Sequence, residues 1–422
     1  MRKKIKIVFG DLLINIAYWL AKKKRSKLFI WNLLFCFYKL LLSLFGMKIL
    51  PVITIADYID RTRGIQTTIK QGRKGLSICS TEPSENSPIR EMDLHNINIS
   101  VLNSVLITGC SDSIIDVSQK WIINDFCYNK SNNIYCSDSL LCREKDNWGL
   151  VRKVVNNPPI PIESGIMICG KFPHNYYHSL YENLNRCLLI DDNLIPEHVP
   201  ILVDKVVLAT PSLKRALYLL VQGVKRQIIP IESGKMYLCK SLYYIDHLNY
   251  IIPHHRKMST LPNERSYYDP ILLRLQREVL LTYKSDIKLP LRVFLTRANS
   301  ASRLYNEEEI FNAIKELGFV KVAPEKLTFE EQIALFNNAD YIIGGSGAAF
   351  SNVIFCKPQC KIICFRPLQS EEGTPLFKTL AYITNADFWH YRADSIRNKS
   401  VHSNYYISPV RLKTLLNKLW NL

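Results

Sequence analysis

Residues 292–365 read RVFLTRANSASRLYNEEEIFNAIKELGFVKVAPEKLTFEEQIALFNNADYIIGGSGAAFSNVIFCKPQCKIICF and alternate strand-like with helix-like runs. Arg292–Thr296 is a short apolar run that fits a buried strand. Asn306 and Glu309 are spaced as a capping box, and the helix they open buries Ile310, Ala313, Ile314 and Leu317 before Gly318 stops it. Phe319–Val322 is the next strand. Thr328 and Glu331 form a second capping box, with Ile333, Phe336 and Ala339 facing inward. Tyr341–Ile343 runs into Gly344-Gly345-Ser346-Gly347, then a short helix over Ala348–Phe355 and a strand over Ile362–Phe365. This alternation predicts a parallel α/β sheet.

The glycine-rich turn sits where a strand gives way to a helix, and such a turn aims backbone N–H groups at one point. Glycine lets a phosphate reach them. Arg297 and Arg303 follow another strand of the same sheet, and guanidinium groups bind diphosphate oxygens in pairs. Two readings stay open: a tight structural turn with surface ion pairs to Glu307–Glu309, or a diphosphate site.

Upstream, residues 174–190 predict one helix with an apolar stripe of Tyr177, Leu180, Leu184, Cys187 and Leu188. His178, Glu182 and Arg186 follow at steps of four on its other face. Such a face is either a solvated polar stripe or a base, its orienting carboxylate and a cation for an anionic group.

The motifs resemble glycosyltransferase family 61. Thr296-Arg297, Arg303, Asn306-Glu307, Gly318-Phe319, Glu325, Leu327-Thr328-Phe329, Glu331-Gln332, Phe336, Ala339, Gly347-Ala348 and Asn352 match its core pattern in order. NYYHSLYENLNR at 175–186 resembles its second signature. The sequence departs from the pattern at Ser179 (Trp), Asn185 (Pro), Ser346 (His), Gln359 (Gly) and Cys364 (an acid). The Ser346 departure implies a different donor or weakened activity.

The resemblance implies a GT-B-like α/β architecture, two Rossmann-like domains facing a cleft, and inverting transfer from a nucleotide sugar with no metal or other cofactor. It implies catalytic roles for His178 and Glu182, with the proton acceptor left open between them. Donor contacts fall on Arg297, Arg303, Glu325, Gly345, Ser346, Gly347, Ala348 and Asn352, and acceptor contacts on Asn175, Tyr177 and Arg186. The expected division is a membrane-associating segment over 1–50, an acceptor-side domain over 51–260, a donor-side domain over 261–405 and a C-terminal helix over 406–422.

The 422-residue chain is 47% hydrophobic, enough for two domains and an appendage, with a net charge of +18. Residues 1–50 hold eleven Lys/Arg against Asp11, a net +10, so the remainder carries only +8. No nucleic-acid-binding motif accompanies the charge, and no nucleic acid partner is expected. The basic segment is also apolar: within 28–48, Asn32, Cys36, Lys39, Ser43 and Gly46 form one narrow stripe, as Asp11, Asn15 and Tyr18 do within 7–21. Helices of this kind, joined by the cationic stretch Lys22–Lys27, suit an anionic membrane surface. The alternative is a pair of helices buried in the enzyme. Twelve scattered cysteines form no disulfide or zinc framework.

The expected function is bacterial capsule, lipopolysaccharide or O-antigen synthesis at the cytoplasmic face of the inner membrane, using a nucleotide sugar and a glycan or lipid-linked glycan acceptor. The alternatives are a secretory-pathway protein glycosyltransferase and a non-catalytic nucleotide- or glycan-binding relative.

Overall fold

The structure, a computed structural model, describes residues 12–20, 23, 29–44, 46–78, 82, 87–118, 120–124, 134–135, 138–145, 147–152, 158–222, 225–251, 266–281, 289–297, 302–367, 375–395 and 403–422. The basic connector Lys22–Lys27 lies outside them except for Lys23, and so do the basic loop His254–Lys257 and the expected 260/261 boundary.

The stretch 292–365 folds as read. Arg292–Leu295, Val320–Val322, Tyr341–Gly345, Lys361–Pro367 and Asp387–Ser395 are parallel, and in chain order they lie 2-1-3-4-5 across the sheet. Tyr405–Tyr406 closes the edge antiparallel. Alternation along the strands splits the side chains between two cores. Leu295, Ile342 and Ile362 pack with Phe329, Ile333, Phe336 and Phe350 on one face. Phe294, Ile343 and Phe365 pack with Ile310, Ile314, Leu412, Leu416 and Trp420 on the other. The C-terminal helix Pro409–Trp420 therefore packs chiefly on its own sheet.

Thr328 and Glu331 make the full capping box expected of them. Asn306 does not cap its helix. Its amide pairs with both Ile407 N–H and Ile407 O at 2.9 Å, because the Tyr405–Tyr406 strand runs beside it.

Among the described residues, a twelve-stranded mixed sheet occupies the first half. Its parallel part, Ile160–Met167, Ile201–Asp204, Ile228–Ile231 and Tyr237–Ile245, has the order 3-2-1-4 and continues into antiparallel strands through Ile97–Ile107. Both sheets thus contain a point where the strand order reverses, between strands 1 and 4 here and between strands 1 and 3 in the second. Ligands of open α/β sheets bind outside the carboxyl ends of the strands at such points.

One apolar core joins the halves. Leu180, Tyr181 and Leu184 of the first share a cluster with Phe329, Phe336 and Phe350 of the second. Arg277 Nε donates to Ile354 O at 2.9 Å, and Arg215 pairs with Glu330.

At the N-terminus, a helix over 12–20 and the helix Phe29–Leu44 pack on each other and on the large sheet. Leu13, Ile14, Ala17, Phe35, Tyr38 and Leu42 meet Ile49 and Leu150, and Tyr38 Oη donates to Leu13 O at 2.6 Å. Among the described residues no helix is long and apolar enough to cross a membrane.

Candidate active site

His178 follows the carboxyl end of Ile160–Met167, at the first reversal point. Asn175 accepts from Tyr177 N–H at 3.0 Å and starts a helical turn over Tyr176–His178. His178 Nδ1 lies 2.8 Å from Glu182 Oε1, with both side chains about one-fifth exposed or less. Phe172 stacks on the imidazole at 4.7 Å and Tyr177 flanks it at 4.6 Å. The Tyr177 hydroxyl is 2.9 Å from that of Tyr268. Burial, above all, then the neighbouring Tyr268 and Glu182, hold its pKa well above the usual phenol range, so this side chain stays protonated.

The single helix expected over 174–190 is corrected. After His178 the chain makes a π turn over Ser179–Asn183, in which Leu184 N–H reaches Ser179 O, and then a 3₁₀ stretch over Leu184–Leu189. The spacing of His178 and Glu182 survives this change, but Arg186 leaves their face. Arg186 is fully buried, donates to Cys169 O at 2.7 Å and Asn183 O at 3.3 Å, and stacks over Tyr244. It holds the helix to the sheet and offers no surface to an acceptor.

Around Gly170, beyond the same strand end, is a polar cluster the sequence did not single out. Lys171 Nζ pairs with Asp112 at 3.3 Å, and His247 Nδ1 lies 3.1 Å from Glu182 O. Asp204 accepts from the N–H groups of Gly170, at 3.0 Å, and Cys110. A Cβ on Gly170 would lie 2.0 Å from Asn183 Oδ1, so this glycine is fixed by close approach. The cluster therefore underlies the backbone of Glu182.

At the second reversal point Arg297 follows Arg292–Leu295 directly. Its backbone N–H donates to Glu307 at 2.8 Å, and its guanidinium donates to Ser346 O at 2.7 Å and Ser302 O at 3.2 Å. A Cβ on Gly347 would lie 2.1 Å from Arg297 Nη1, and one on Gly345 2.6 Å from Arg297 Cδ. These glycines therefore make room for Arg297, which lies across the turn. Ser346 is buried and its N–H is taken by Phe365 O at 2.9 Å, so the turn is not an open ring of amides. A 3₁₀ helix, Ala348–Phe355, follows it.

Arg303 sits beside Arg297 with φ of 57°, a left-handed conformation costly for a side chain. Its Nε is buried, with no hydrogen-bond partner among the described residues. Burial first, and the charge of Arg297 second, push its pKa down. The two arginines line a cavity of about 350 Å³ with Tyr305 and the carboxylates Glu307, Glu308 and Glu309. Glu325 is exposed on a turn just past Val320–Val322, the strand next to Arg292–Leu295.

Asn352 is placed away from that cavity. It is fully buried, and both ends of its amide are committed: Oδ1 accepts from Tyr176 Oη at 2.6 Å, and Nδ2 donates to Gln332 Oε1 at 2.9 Å. Tyr181 Oη donates to Ser351 O at 2.6 Å alongside. Asn352 thus ties the two motif regions together.

Residues 176–363 match the family model of glycosyltransferase 61. The protein carries a glycosyltransferase 61 domain. The matched span takes in His178, Glu182, both arginines and the glycine turn, and the protein is accordingly an enzyme with a sugar donor and a glycan acceptor. No curated protein matches the chain.

Several departures from the glycosyltransferase 61 pattern have local explanations. Ser179 is buried and donates to Pro173 O at 2.6 Å, and Asn185 donates to Tyr181 O at 2.5 Å. Gln359 keeps φ at 62°, a glycine-like conformation in a residue that is not glycine. Cys364 lies among Ser346, Arg297, Arg303 and Arg366, and burial pushes its thiol up to about 12.

Proposed function

We propose that the enzyme is an inverting glycosyltransferase that requires no metal. It moves a sugar from a nucleotide-diphosphate sugar, UDP-linked by preference, to a glycan or lipid-linked glycan acceptor. The setting is capsule, lipopolysaccharide or O-antigen synthesis at the cytoplasmic face of a bacterial inner membrane. Residues 51–260 form the acceptor side and 261–405 the donor side of a GT-B-like pair.

The observation that carries this reading is the Arg297–Arg303 pair. Two guanidiniums lie side by side at a strand-order reversal, one with a buried Nε that has no partner among the described residues, and they suit an anion held on their side of a cavity whose other lining includes Glu307, Glu308 and Glu309. The diphosphate of the donor supplies that charge, most of all as it departs.

His178 supplies the base. The bond from Nδ1 to Glu182 assigns the tautomer with hydrogen on Nδ1, which leaves the Nε2 lone pair for an acceptor hydroxyl. The hydroxyl proton passes to Nε2 while its oxygen bonds to the anomeric carbon. The bond from that carbon to the diphosphate breaks, its electron pair leaves on the phosphate oxygen, and the arginines hold the product. Glu182 orients the imidazole and stabilises the imidazolium.

The test is calorimetric titration with UDP, GDP, CMP and their sugars, alongside Arg303→Ala. One diphosphate should bind, and more weakly in the variant. A folded protein that binds none of them would overturn the reading.

A further inference from the structure

The helix Phe29–Leu44 carries two apolar faces. Phe35, Tyr38 and Leu42 are buried against the enzyme. Leu33, Leu34, Phe37, Leu40, Leu41 and Leu44 are 37% to 78% exposed. At 100° per residue the exposed set falls within an arc of about 120°, opposite the buried set. Exposed Cys36, Lys39 and Ser43 occupy the arc between them. The helix over 12–20 adds Leu12 and Trp19, each about half exposed.

A monomer rarely shows solvent so many contiguous large apolar side chains. Charge decides what covers them. The first fifty residues hold eleven Lys/Arg and one Asp. A second copy docked on this face would bring two such segments together, which like-charge repulsion opposes. A bilayer with anionic headgroups accepts both the apolar side chains and the cations. The described helix of 16 residues reaches about 24 Å, short of a hydrocarbon core of about 30 Å, and a spanning orientation would hold Lys39 within the core.

We infer that the helix pair is a monotopic anchor. It lies flat in an anionic membrane surface with Phe37, Leu40 and Leu44 immersed, while the opposite face of the helix grips the enzyme through Phe35, Tyr38 and Leu42. The inference deepens the membrane setting of the proposed function and rests on it, and it gives that setting a surface and an orientation. The part of the large sheet that carries Ile49 and Leu150, on which the helices pack, lies nearest the bilayer.

Flotation of the full-length protein on phosphatidylcholine vesicles, with and without phosphatidylglycerol, tests the anchor without any activity readout. The protein should float with the anionic vesicles. The double variant Phe37→Ser/Leu40→Ser, altered only at exposed positions, should keep its melting temperature and lose at least about tenfold in partitioning. Flotation unchanged in the variant, equal flotation on neutral vesicles, or no flotation would each overturn the anchor. So would a wild-type dimer in light scattering that the variant converts to monomer. None of these outcomes bears on nucleotide binding, so the anchor and the transferase reading fail separately.

Discussion

Tyr176 Oη donates a 2.6 Å hydrogen bond to Asn352 Oδ1 across 176 residues of sequence. The bond joins the turn that carries His178 to the helix that follows the glycine turn. Because Gln332 occupies the other end of the amide, Asn352→Ala takes this bond from buried Gln332 and from half-buried Tyr176. The expected loss is about 1–3 kcal/mol of stability, read as a lower thermal midpoint, with nucleotide affinity near wild type. A variant of full stability with lost nucleotide binding would restore Asn352 to the donor site.

His178→Ala should lower turnover by roughly 10²–10⁴ while nucleotide affinity holds, the pattern of a lost base. Glu182→Gln should lower turnover less, since the imidazole remains. Steady-state rates with a nucleotide-release assay, set against calorimetric binding, separate the two effects. Wild-type turnover in His178→Ala would remove it from the chemistry.

Arg303→Ala should uncouple stability from affinity. Its buried Nε has no partner among the described residues and its charge sits beside Arg297, so removing it costs the fold little. Losing one charged hydrogen bond to a diphosphate costs about 1.5–3 kcal/mol, roughly tenfold or more in Kd. Gly347→Ala should reach a similar loss indirectly, because its Cβ would displace the Arg297 guanidinium.

Asp204 makes stability fall as pH rises. Burial, above all, lifts its carboxyl to about 7, against roughly 3.9 in an unfolded chain. The folded state therefore holds the proton more tightly. The favourable contribution is complete below the unfolded value and is lost as pH rises through about 7, a change on the order of a few kcal/mol. Urea unfolding between those limits should show the slope, and Asp204→Asn should flatten it.

Gln359→Gly should stabilise the protein by roughly 0.5–1 kcal/mol, since the backbone there already has the left-handed φ that a Cβ opposes. A raised melting temperature with unchanged kinetics is the expected result.

The second sheet was legible because each of its signals is local. Apolar runs set the strands, and Thr328 with Glu331 set a helix start that the structure reproduces. The partner of Asn306 was not legible, since Ile407 lies 101 residues away and takes the amide that the spacing had given to a cap. The glycines of the turn were found by pattern but explained by ligand access, whereas Arg297 is what fills the space above them. His178 and Glu182 meet as their spacing required. Phe172, Tyr268 and Asp112 were missed, because no spacing links them to the helix they support. Arg186 was misplaced by an assumption of uniform helical geometry.

That geometry has a consequence for length. The π turn over Ser179–Asn183 spans one residue more than an α turn, and it sits between His178 and Arg186. A π turn takes up one residue beyond an α turn without redirecting the chain on either side of it. Deleting one residue there would let it close as an α turn, leaving Arg186 on Cys169 O and moving chiefly the residues inside it, among them Tyr181, whose hydroxyl reaches Ser351 O. Adding a residue has no such outlet and would turn Arg186 and the stretch after it by about 100°. The segment is therefore a one-residue reserve of chain length, tolerant of a loss and intolerant of a gain.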